Sequence, residues 1–286
     1  MDTPDINIQW FPGHMTKTRR YIEKNISLVD IVVETVDARC IRASQNPDFD
    51  SLLKDKPRLM IITKTDLADP NVTSRWINHF KSQGRGCITV DLAHKKGVGE
   101  ILPAVRTALS DKIKKYADKG MKKTIRMMIA GVPNSGKSTL INSLCGKRAV
   151  IAEDRPGVTR GGQWVTLSSD IELLDTPGIL WNKFLDMRVG LNLAFTGAVK
   201  DDVIDIETLA LELIKTLQNL YPNSFKDRFG IDISDMEPLE IYEAVCKRRG
   251  FIMRGGDYDY ERCAKILIDE FRAGKLGRIS LEAPNA

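Results

Sequence analysis

The chain has 286 residues, of which 42% are hydrophobic, and a net charge of +5 at pH 7, a combination that suits two folded domains and excludes wholesale disorder. Its five cysteines are scattered with no C-x-x-C pair, so neither a zinc ribbon nor a disulfide framework is expected. Its apolar runs are too short to cross a membrane, and residues 1–9 match no signal or transit peptide, which predicts a cytoplasmic protein without a membrane span.

The first 110 residues predict strands that alternate with helices. We expect buried strands at residues 28–36, 59–62 and 86–90, and helices at 16–25, 72–82 and 97–110. This alternation favours parallel β-α-β units, in which the carboxyl ends of the strands meet at one edge of a sheet.

A lysine-rich segment follows at residues 111–123, with six lysines and few apolar residues. Two interpretations are open. The simpler one is a solvated connector, and the other is a contact with the phosphate backbone of a nucleic acid.

Residues 131–138 read GVPNSGKS and fit the phosphate-binding pattern G-x-x-x-x-G-K-[ST]. The loop lies between an apolar strand at 125–130 and a helix at 137–144, so backbone N–H groups and a helix N-terminus would face an anion. We expect Lys137 to act as a catalytic residue that reaches the β- and γ-phosphates, and the Ser138 hydroxyl to bind Mg²⁺. The predicted phosphate contacts within this region are Pro133, Asn134, Ser135, Gly136, Lys137, Ser138 and Thr139.

Downstream, a predicted hairpin of strands at 163–167 and 171–174 ends in Asp175-Thr176-Pro177-Gly178. Asp175 is the predicted acidic partner of the Mg²⁺ ion, and the Gly178 N–H is placed to sense a γ-phosphate. Thr159 lies between the two motifs and is a candidate switch residue that closes onto Mg²⁺ and the γ-phosphate.

Thr63-Lys64-Thr65-Asp66 resembles the guanine-binding motif Asn-Lys-x-Asp, with Thr63 in the place of the asparagine. The Asp66 carboxylate would accept hydrogen bonds from guanine N1–H and N2–H₂, a donor edge that adenine lacks. The stem of Lys64 can cover the plane of the base. We therefore predict guanine binding by Thr63, Lys64 and Asp66.

The base-binding motif precedes the phosphate loop, the reverse of the order in an ordinary GTPase. A doubly wound, mostly parallel sheet accommodates this circular permutation if the original termini lie close together. Beyond residue 182 only helices are predicted, at 185–199, 205–220, 238–249 and 259–273. The predicted fold is therefore α/β, with a circularly permuted P-loop GTPase domain at residues 1–182 and a small all-helical domain at 183–286.

Further motifs give the chain a resemblance that spans nearly its full length. They are WFPGHM at residues 10–15, DAR at 37–39, Asn46-Pro47, LLDTPGILW at 173–181 and FRAGKLGRI at 271–279. On these motifs the chain resembles the circularly permuted GTPases, and in particular the ribosome biogenesis GTPase A family. It departs from the family pattern at Ile41, where a proline is usual, at Thr63, and at Leu92 in a poor match to the second base-contacting loop.

This resemblance implies GTP hydrolysis coupled to late maturation of the large (50S) ribosomal subunit. The implied partners are GTP or GDP and the precursor of that subunit with its rRNA, and the implied enzyme is slow alone and stimulated by the particle. The cofactors expected are Mg²⁺ and K⁺, and we expect a monomer. The C-terminal domain would contact rRNA through basic residues, for which the candidates are Lys247, Arg248, Arg249, Arg254, Lys275 and Arg278.

Hydrolysis needs a group that replaces the usual water-orienting glutamine, because Ile179 stands after the glycine of the DTPG motif. His14 is one candidate, since an imidazole titrates near neutral pH and the resemblance implies this role for it. Asn134 is the other, because in similar GTPases an asparagine at this place in the phosphate loop helps to bind K⁺.

Two other functions compete with a GTPase of ribosome assembly. One is a GTPase that acts in tRNA or rRNA modification, although no second catalytic constellation is evident in the sequence. The other is a P-loop ATPase or kinase, against which Asp66 argues. Competition of GTP against ATP for binding separates the last from the other two.

Overall fold

The computed structural model describes residues 13–53, 56–145, 164–181, 184 and 186–284. In these residues six strands form one sheet with the order β3-β2-β1-β4-β6-β5. The strands are β1 Ile31–Asp37, β2 Arg58–Thr63, β3 Cys87–Thr89, β4 Ile125–Gly131, β5 Trp164–Ser168 and β6 Ile171–Asp175. Neighbouring strands are parallel except for the hairpin of β5 and β6. This confirms the mostly parallel sheet, with the N-terminal strand β1 at its centre.

Helices pack against both faces of the sheet, and the described residues after β6 form helices and loops without a further strand. They are α1 Gly13–Asn25, α2 Ile41–Ser44, α3 Phe49–Leu52, α4 Pro70–Ser82, α5 Ile101–Ala108, α6 Ser110–Ala117, α7 Lys137–Cys145, α8 Met187–Phe195, α9 Ile206–Leu220, α10 Asn223–Phe229, α11 Pro238–Arg249 and α12 Tyr260–Arg272. The sequence did not predict α2, α3, α6 or α10, most of which are too short to show a full hydrophobic period. Within the described ranges, no helix has the length and apolar character that a bilayer span requires.

The two faces of the sheet bury alternate residues of each strand, as the period of two requires. On one face Val33, Met127 and Leu173 lie in a core that includes residues of α5 and α7. On the other face Val32, Met128 and Leu174 belong to a different core. Near-continuous apolar strands therefore reflect burial on both faces.

The second core extends without a break into the C-terminal helices. It includes Leu213 of α9, Val245 of α11 and Leu267 of α12 together with the sheet residues Met128 and Leu174. The C-terminal helices are thus packed against the face of the sheet. The division at residues 182 and 183, both outside the described residues, stays a prediction.

The lysine-rich segment is largely exposed and partly helical. Its first part forms α6, and the ammonium groups of Lys112 and Lys123 lie 2.5 and 2.6 Å from the two carboxylate oxygens of Asp30. Asp30 is buried just before β1, so the two lysines neutralise it there. These two lysines tie the segment to the sheet, while most of its other residues are exposed, as the interpretation of a solvated connector expects. A contact with nucleic acid stays a prediction.

Candidate functional site

The predicted nucleotide-binding motifs meet at the carboxyl edge of the sheet. In the strand register Asp37 lies opposite Thr63, Thr35 opposite Gly131, and Ile129 opposite Asp175. Parallel strands therefore bring the base-binding motif, the phosphate loop and the DTPG motif side by side, although the chain visits them in permuted order.

The phosphate loop is held by short hydrogen bonds among its own residues and to β1. The Ser135 hydroxyl donates to the Val132 carbonyl at 2.8 Å and lies 2.7 Å from the Thr35 hydroxyl. The Lys137 ammonium donates to the same Val132 carbonyl at 2.7 Å and is buried. Ser138 is half-buried and Thr139 exposed in the first turn of α7, where free N–H groups can bind phosphate.

Asn134 connects the phosphate loop to the C-terminal helices. Its backbone is in the left-handed region, with φ of 58°, which asparagine tolerates better than most residues. Its side-chain amide donates to the carbonyl oxygen of Gly197, just after α8, at 2.9 Å. Among the described residues the Asn134 side-chain oxygen has no donor, so it can accept a hydrogen bond or ligate a cation.

The DTPG motif is fixed against the phosphate loop. The Thr176 hydroxyl donates to the Ile129 carbonyl, and the Ile179 N–H donates to the Gly131 carbonyl at 3.1 Å. A Cβ atom on Gly178 would lie 2.8 Å from the backbone of Pro133 and 3.0 Å from the Lys137 ammonium, so only glycine fits. Ile179 itself is buried in the core, which is consistent with the inference that it orients no water.

Asp175 and Lys137 have strongly shifted pKa values because burial disfavours their charged forms. Burial raises the pKa of the Asp175 carboxyl to about 6, against the opposing effect of Lys137. Burial likewise lowers the pKa of the Lys137 ammonium to about 8, against the opposing effect of Asp175. A phosphate and a divalent cation would stabilise the charged forms of these two residues.

The donor set at Asp175 fits Mg²⁺. Its Oδ1 atom is buried and has no hydrogen-bond partner in the described part of the chain. The same part of the chain contains no group of three or more His, Cys, Asp or Glu side chains that could hold a metal by themselves. Mg²⁺ in nucleotide sites is bound by one or two protein oxygens, water and the phosphates, and Asp175 with Ser138 would supply the protein oxygens.

The Thr63 side chain braces the phosphate loop through its hydroxyl group. Its hydroxyl lies 2.9 Å from the Ser135 carbonyl and 3.0 Å from the Val36 carbonyl, and its single proton can be donated to one of them at a time. Thr63 is fully buried. The hydroxyl therefore joins the base-binding motif to the phosphate loop without an amide.

The rest of the base-binding motif extends from the end of β2. The Asp66 carboxylate is partly exposed and accepts no hydrogen bond from the residues that the structure describes, so both of its oxygens can accept from a base. The Lys64 ammonium lies 3.1 Å from the Asp37 carboxylate. Leu92 packs near the phosphate loop, where its Cδ1 atom would be 3.3 Å from a Cβ atom on Gly136.

The buried ion pair of Asp37 and Arg39 is a part of the site that sequence reasoning missed. Arg39 donates to both carboxylate oxygens of Asp37, at 3.0 and 2.8 Å, and both side chains are buried. Burial raises the pKa of Asp37, but Arg39 and Lys64 outweigh it and hold that pKa well below its ordinary value. The sequence shows the DAR motif only as part of the family resemblance. The structure shows that Asp37 of this motif is the counter-charge of Lys64.

Some predicted site residues lie outside what the structure describes. The side chain of His14 and the whole of Thr159 are outside the described residues. All six basic candidates for RNA contact are exposed, namely Lys247, Arg248, Arg249, Arg254, Lys275 and Arg278. Arg249 pairs with Glu270 on α12, and Arg278 donates to two backbone carbonyls near Asp66.

A family model matches the part of the chain that contains the phosphate loop. Residues 126–223 match the family model described as 50S ribosome-binding GTPase. That match begins in β4, so β1, β2 and β3 precede it, as expected for a permuted chain.

Matches to whole proteins cover nearly the full length. Proteins called ribosome biogenesis GTPase A from Bacillus cereus and Priestia megaterium are each 41% identical, the first over 97% of this chain and 94% of its own length, the second over 98% of each. The crystal structure of GNP-bound YlqF from T. maritima is 30% identical, with a TM-score of 0.68 over 94% of this chain and 99% of that one. The GDP-bound form gives the same TM-score at 29% identity, over 92% and 98% of the two chains.

Proposed function

The chain belongs to the ribosome biogenesis GTPase A family and is a GTP hydrolase, and from this premise we propose that it acts in late maturation of the large (50S) ribosomal subunit. The observation that carries the proposal is the agreement in name among relatives that match over nearly the full length. The description of the matched family model, 50S ribosome-binding GTPase, supports the same subunit. We place the protein in the cytoplasm, as a monomer.

We propose that the C-terminal region, residues 183–286, binds rRNA. Lys247 and Arg248 are exposed at the end of α11, and Arg254 is exposed in the turn that follows. Lys275 adds an exposed cation after α12. Such side chains contact phosphates and position a protein without reading sequence. Arg249 and Arg278 are engaged within the molecule, so the other four residues form the main proposed surface.

Guanine nucleotide would bind at the carboxyl edge of the sheet. Residues 133–139 and Gly178 would hold the phosphates, and Thr159 would close over the γ-phosphate when GTP is bound. Thr63, Lys64 and Asp66 would hold the base. When bound through Asp175, Ser138 and Thr159, Mg²⁺ supplies the positive charge that offsets charge on the β- and γ-phosphate oxygens.

Two groups are proposed to assist hydrolysis in place of a glutamine. The Asn134 side-chain oxygen would help to hold K⁺ beside the phosphates, while its amide stays bonded to Gly197. His14 would position the attacking water when the protein is bound to the ribosomal particle. Turnover would then be slow for the free protein and faster on the particle.

Sedimentation with large-subunit precursor particles tests the proposed function. We expect co-sedimentation with a non-hydrolysable GTP analogue and release with GDP. The double variant Lys247→Ala/Arg248→Ala should bind the particle more weakly and lose less affinity as salt is raised, because counterion release accompanies each phosphate contact. The charge-matched control is Arg75→Ala/Lys81→Ala on the exposed side of α4. Equal binding in both nucleotide states, or equal loss in both variants, would contradict the proposal.

The role of His14 has its own test. His14→Ala should abolish particle-stimulated turnover and leave the affinity for GTP unchanged, because the proposed function of the imidazole is to place water and not to bind nucleotide. Undiminished stimulation in this variant would remove His14 from the mechanism.

A further inference from the structure

The segment that follows α12 runs back across the base-binding motif. We call residues 63–69, from the end of β2 to the start of α4, the base loop. We call residues 274–282, which follow α12, the C-terminal tail. The tail contacts the base loop along most of its length.

Arg278 makes the central contact. Its guanidinium group donates to the Thr65 carbonyl at 2.7 Å and to the Ala68 carbonyl at 2.9 Å. These carbonyls lie on either side of Asp66 in the chain. A planar guanidinium bound to two acceptors fixes their relative position, which a single flexible ammonium would not do.

Backbone and hydroxyl groups extend the contact on both sides. The Ile279 N–H donates to the Leu67 carbonyl at 3.0 Å, and the Asp69 N–H donates to the Ser280 hydroxyl at 3.2 Å. The Tyr221 hydroxyl donates to the Asp69 carboxylate at 3.2 Å and accepts from the Ser280 N–H at 3.1 Å. The carbonyls at positions 65, 67 and 68 are therefore all bound by the tail.

The beginning of the tail also lies close to the base loop. Gly274 has φ of 71°, and a Cβ atom there would lie 2.8 Å from the Leu67 side chain, so this turn requires glycine. At the other end the Leu281 N–H donates to the Arg39 carbonyl at 2.7 Å. The Glu282 carboxylate accepts from the Ala43 N–H at 2.8 Å, so the tail is anchored beyond the base loop.

We propose that Arg278 is a positioning residue for guanine binding, and that the C-terminal tail holds the base loop in the conformation that presents Asp66 to the base. The inference rests on the proposal that Thr63, Lys64 and Asp66 bind guanine. The Asp66 carboxylate accepts no hydrogen bond from the described side chains. The direction of this side chain therefore depends on the backbone on either side, which the tail holds in place. The cation predicted as an RNA contact thus serves nucleotide selectivity.

The test compares GDP with inosine diphosphate, which lacks only the 2-amino group that Asp66 would bind. Affinities are measured by displacement of a fluorescent GDP analogue. The native chain should prefer GDP, and Arg278→Gln should lose about tenfold in GDP affinity as two charge-assisted hydrogen bonds disappear, with a smaller loss for inosine diphosphate. The KM for GTP should rise while kcat at saturation stays unchanged, because the phosphate loop is untouched.

Matched variants distinguish a positioning role of Arg278 from a general loss of stability. Arg75→Gln removes an exposed arginine of α4 and should keep the native preference. Tyr221→Phe removes one contact with Asp69 and should reduce the preference less than Arg278→Gln does. It also keeps the test decisive if Arg278→Gln does not fold. Arg278→Lys keeps the charge but not the fork, and should restore little of the preference.

The control for the proposed base contact is Asp66→Ala. If Asp66→Ala loses the preference for GDP and both Arg278→Gln and Tyr221→Phe keep it, the positioning role of the tail is wrong. If Asp66→Ala itself keeps the preference, the assignment of the base loop to guanine is wrong, and the inference fails with it.

Discussion

The side-chain amide of Asn134 in the phosphate loop donates a hydrogen bond to the carbonyl oxygen of Gly197, 2.9 Å away at the end of α8. This bond joins the nucleotide-binding edge of the sheet to the C-terminal helices. Arg272 of α12 donates to the carbonyls of Ala194 and Phe195 at the same helix end. The phosphate loop is therefore in direct contact with the C-terminal helices that are proposed to bind RNA.

Asn134→Ala should abolish the response of GTP turnover to K⁺. The variant loses the side-chain oxygen proposed to hold the ion, so its rate in KCl should fall to the rate that the native chain shows in NaCl. The removal of one electrostatic stabiliser from an active site sets the scale of this loss, which is about 100-fold. Asn219→Ala, which removes an exposed amide of α9, serves as the control and should keep the K⁺ response. A K⁺ response that survives in Asn134→Ala would contradict the proposed ligand.

Thr63→Val should weaken nucleotide binding while preserving the shape of the side chain. The substitution leaves the Ser135 carbonyl without the hydroxyl that braces it, at a cost of about 1 kcal/mol or roughly fivefold in the Kd for GDP. Thr63→Ser keeps the hydroxyl and should bind nearly as the native chain does. Titration with a fluorescent GDP analogue measures both, and equal affinities would show that the hydroxyl contributes nothing.

Mg²⁺-dependent nucleotide binding should weaken as the pH falls through about 6. The pKa of Asp175 is raised to about 6, so at lower pH the carboxyl is protonated and cannot ligate the ion. The apparent Mg²⁺ affinity should then drop by about tenfold for each further pH unit. Asp175→Asn should show weak Mg²⁺ dependence at every pH, and a native profile that stays flat down to about pH 5 would contradict the assignment.

The same carboxyl gives the unliganded protein a stability that depends on pH in the opposite sense. Folding raises the pKa of Asp175 from 3.8 to about 6, so the folded state binds this proton more tightly than the unfolded state does. The stabilisation of the folded state by this proton is fully present below pH 3.8 and is lost as the pH rises through about 6. Thermal unfolding should therefore show that Mg²⁺ with GDP stabilises the protein more at pH 7 than at pH 5. Equal stabilisation at both values would argue against a buried, neutral Asp175 in the free protein.

Asp37→Asn should destabilise the fold strongly. The substitution leaves the buried guanidinium of Arg39 and the ammonium of Lys64 without their counter-charge, which costs about 3–5 kcal/mol in a buried site. Glu172→Gln breaks the exposed pair with Arg126, 3.1 Å apart, and should cost less than about 1 kcal/mol. Urea unfolding of both variants compares the two losses in the free energy of unfolding. Similar losses would mean that Asp37 does not act as the buried counter-charge of Arg39 and Lys64.

The strands, the longer helices and the site motifs could be predicted because their signals are local. Apolar runs such as that at β4, and the glycine and lysine spacing of the phosphate loop, are set by neighbours in the chain. The contacts of Lys112 and Lys123 with Asp30 could not be predicted. The sequence shows that a lysine is charged, but it does not show which distant carboxylate the lysine contacts. Arg278 is the same case, since its partners are backbone carbonyls of a distant loop, and a carbonyl has no sequence signature.

Asp66 lies upstream of the phosphate loop in the chain, and we propose that it binds the base of the nucleotide that the loop holds. The most direct measurement is the ratio of Kd values for GDP and xanthosine diphosphate in the native chain and in Asp66→Asn. Xanthine carries an oxygen where guanine carries the 2-amino group, so an asparagine amide can donate to it. We expect a preference for GDP in the native chain and for xanthosine diphosphate in the variant. An undiminished preference for GDP in Asp66→Asn would show that Asp66 does not bind the base.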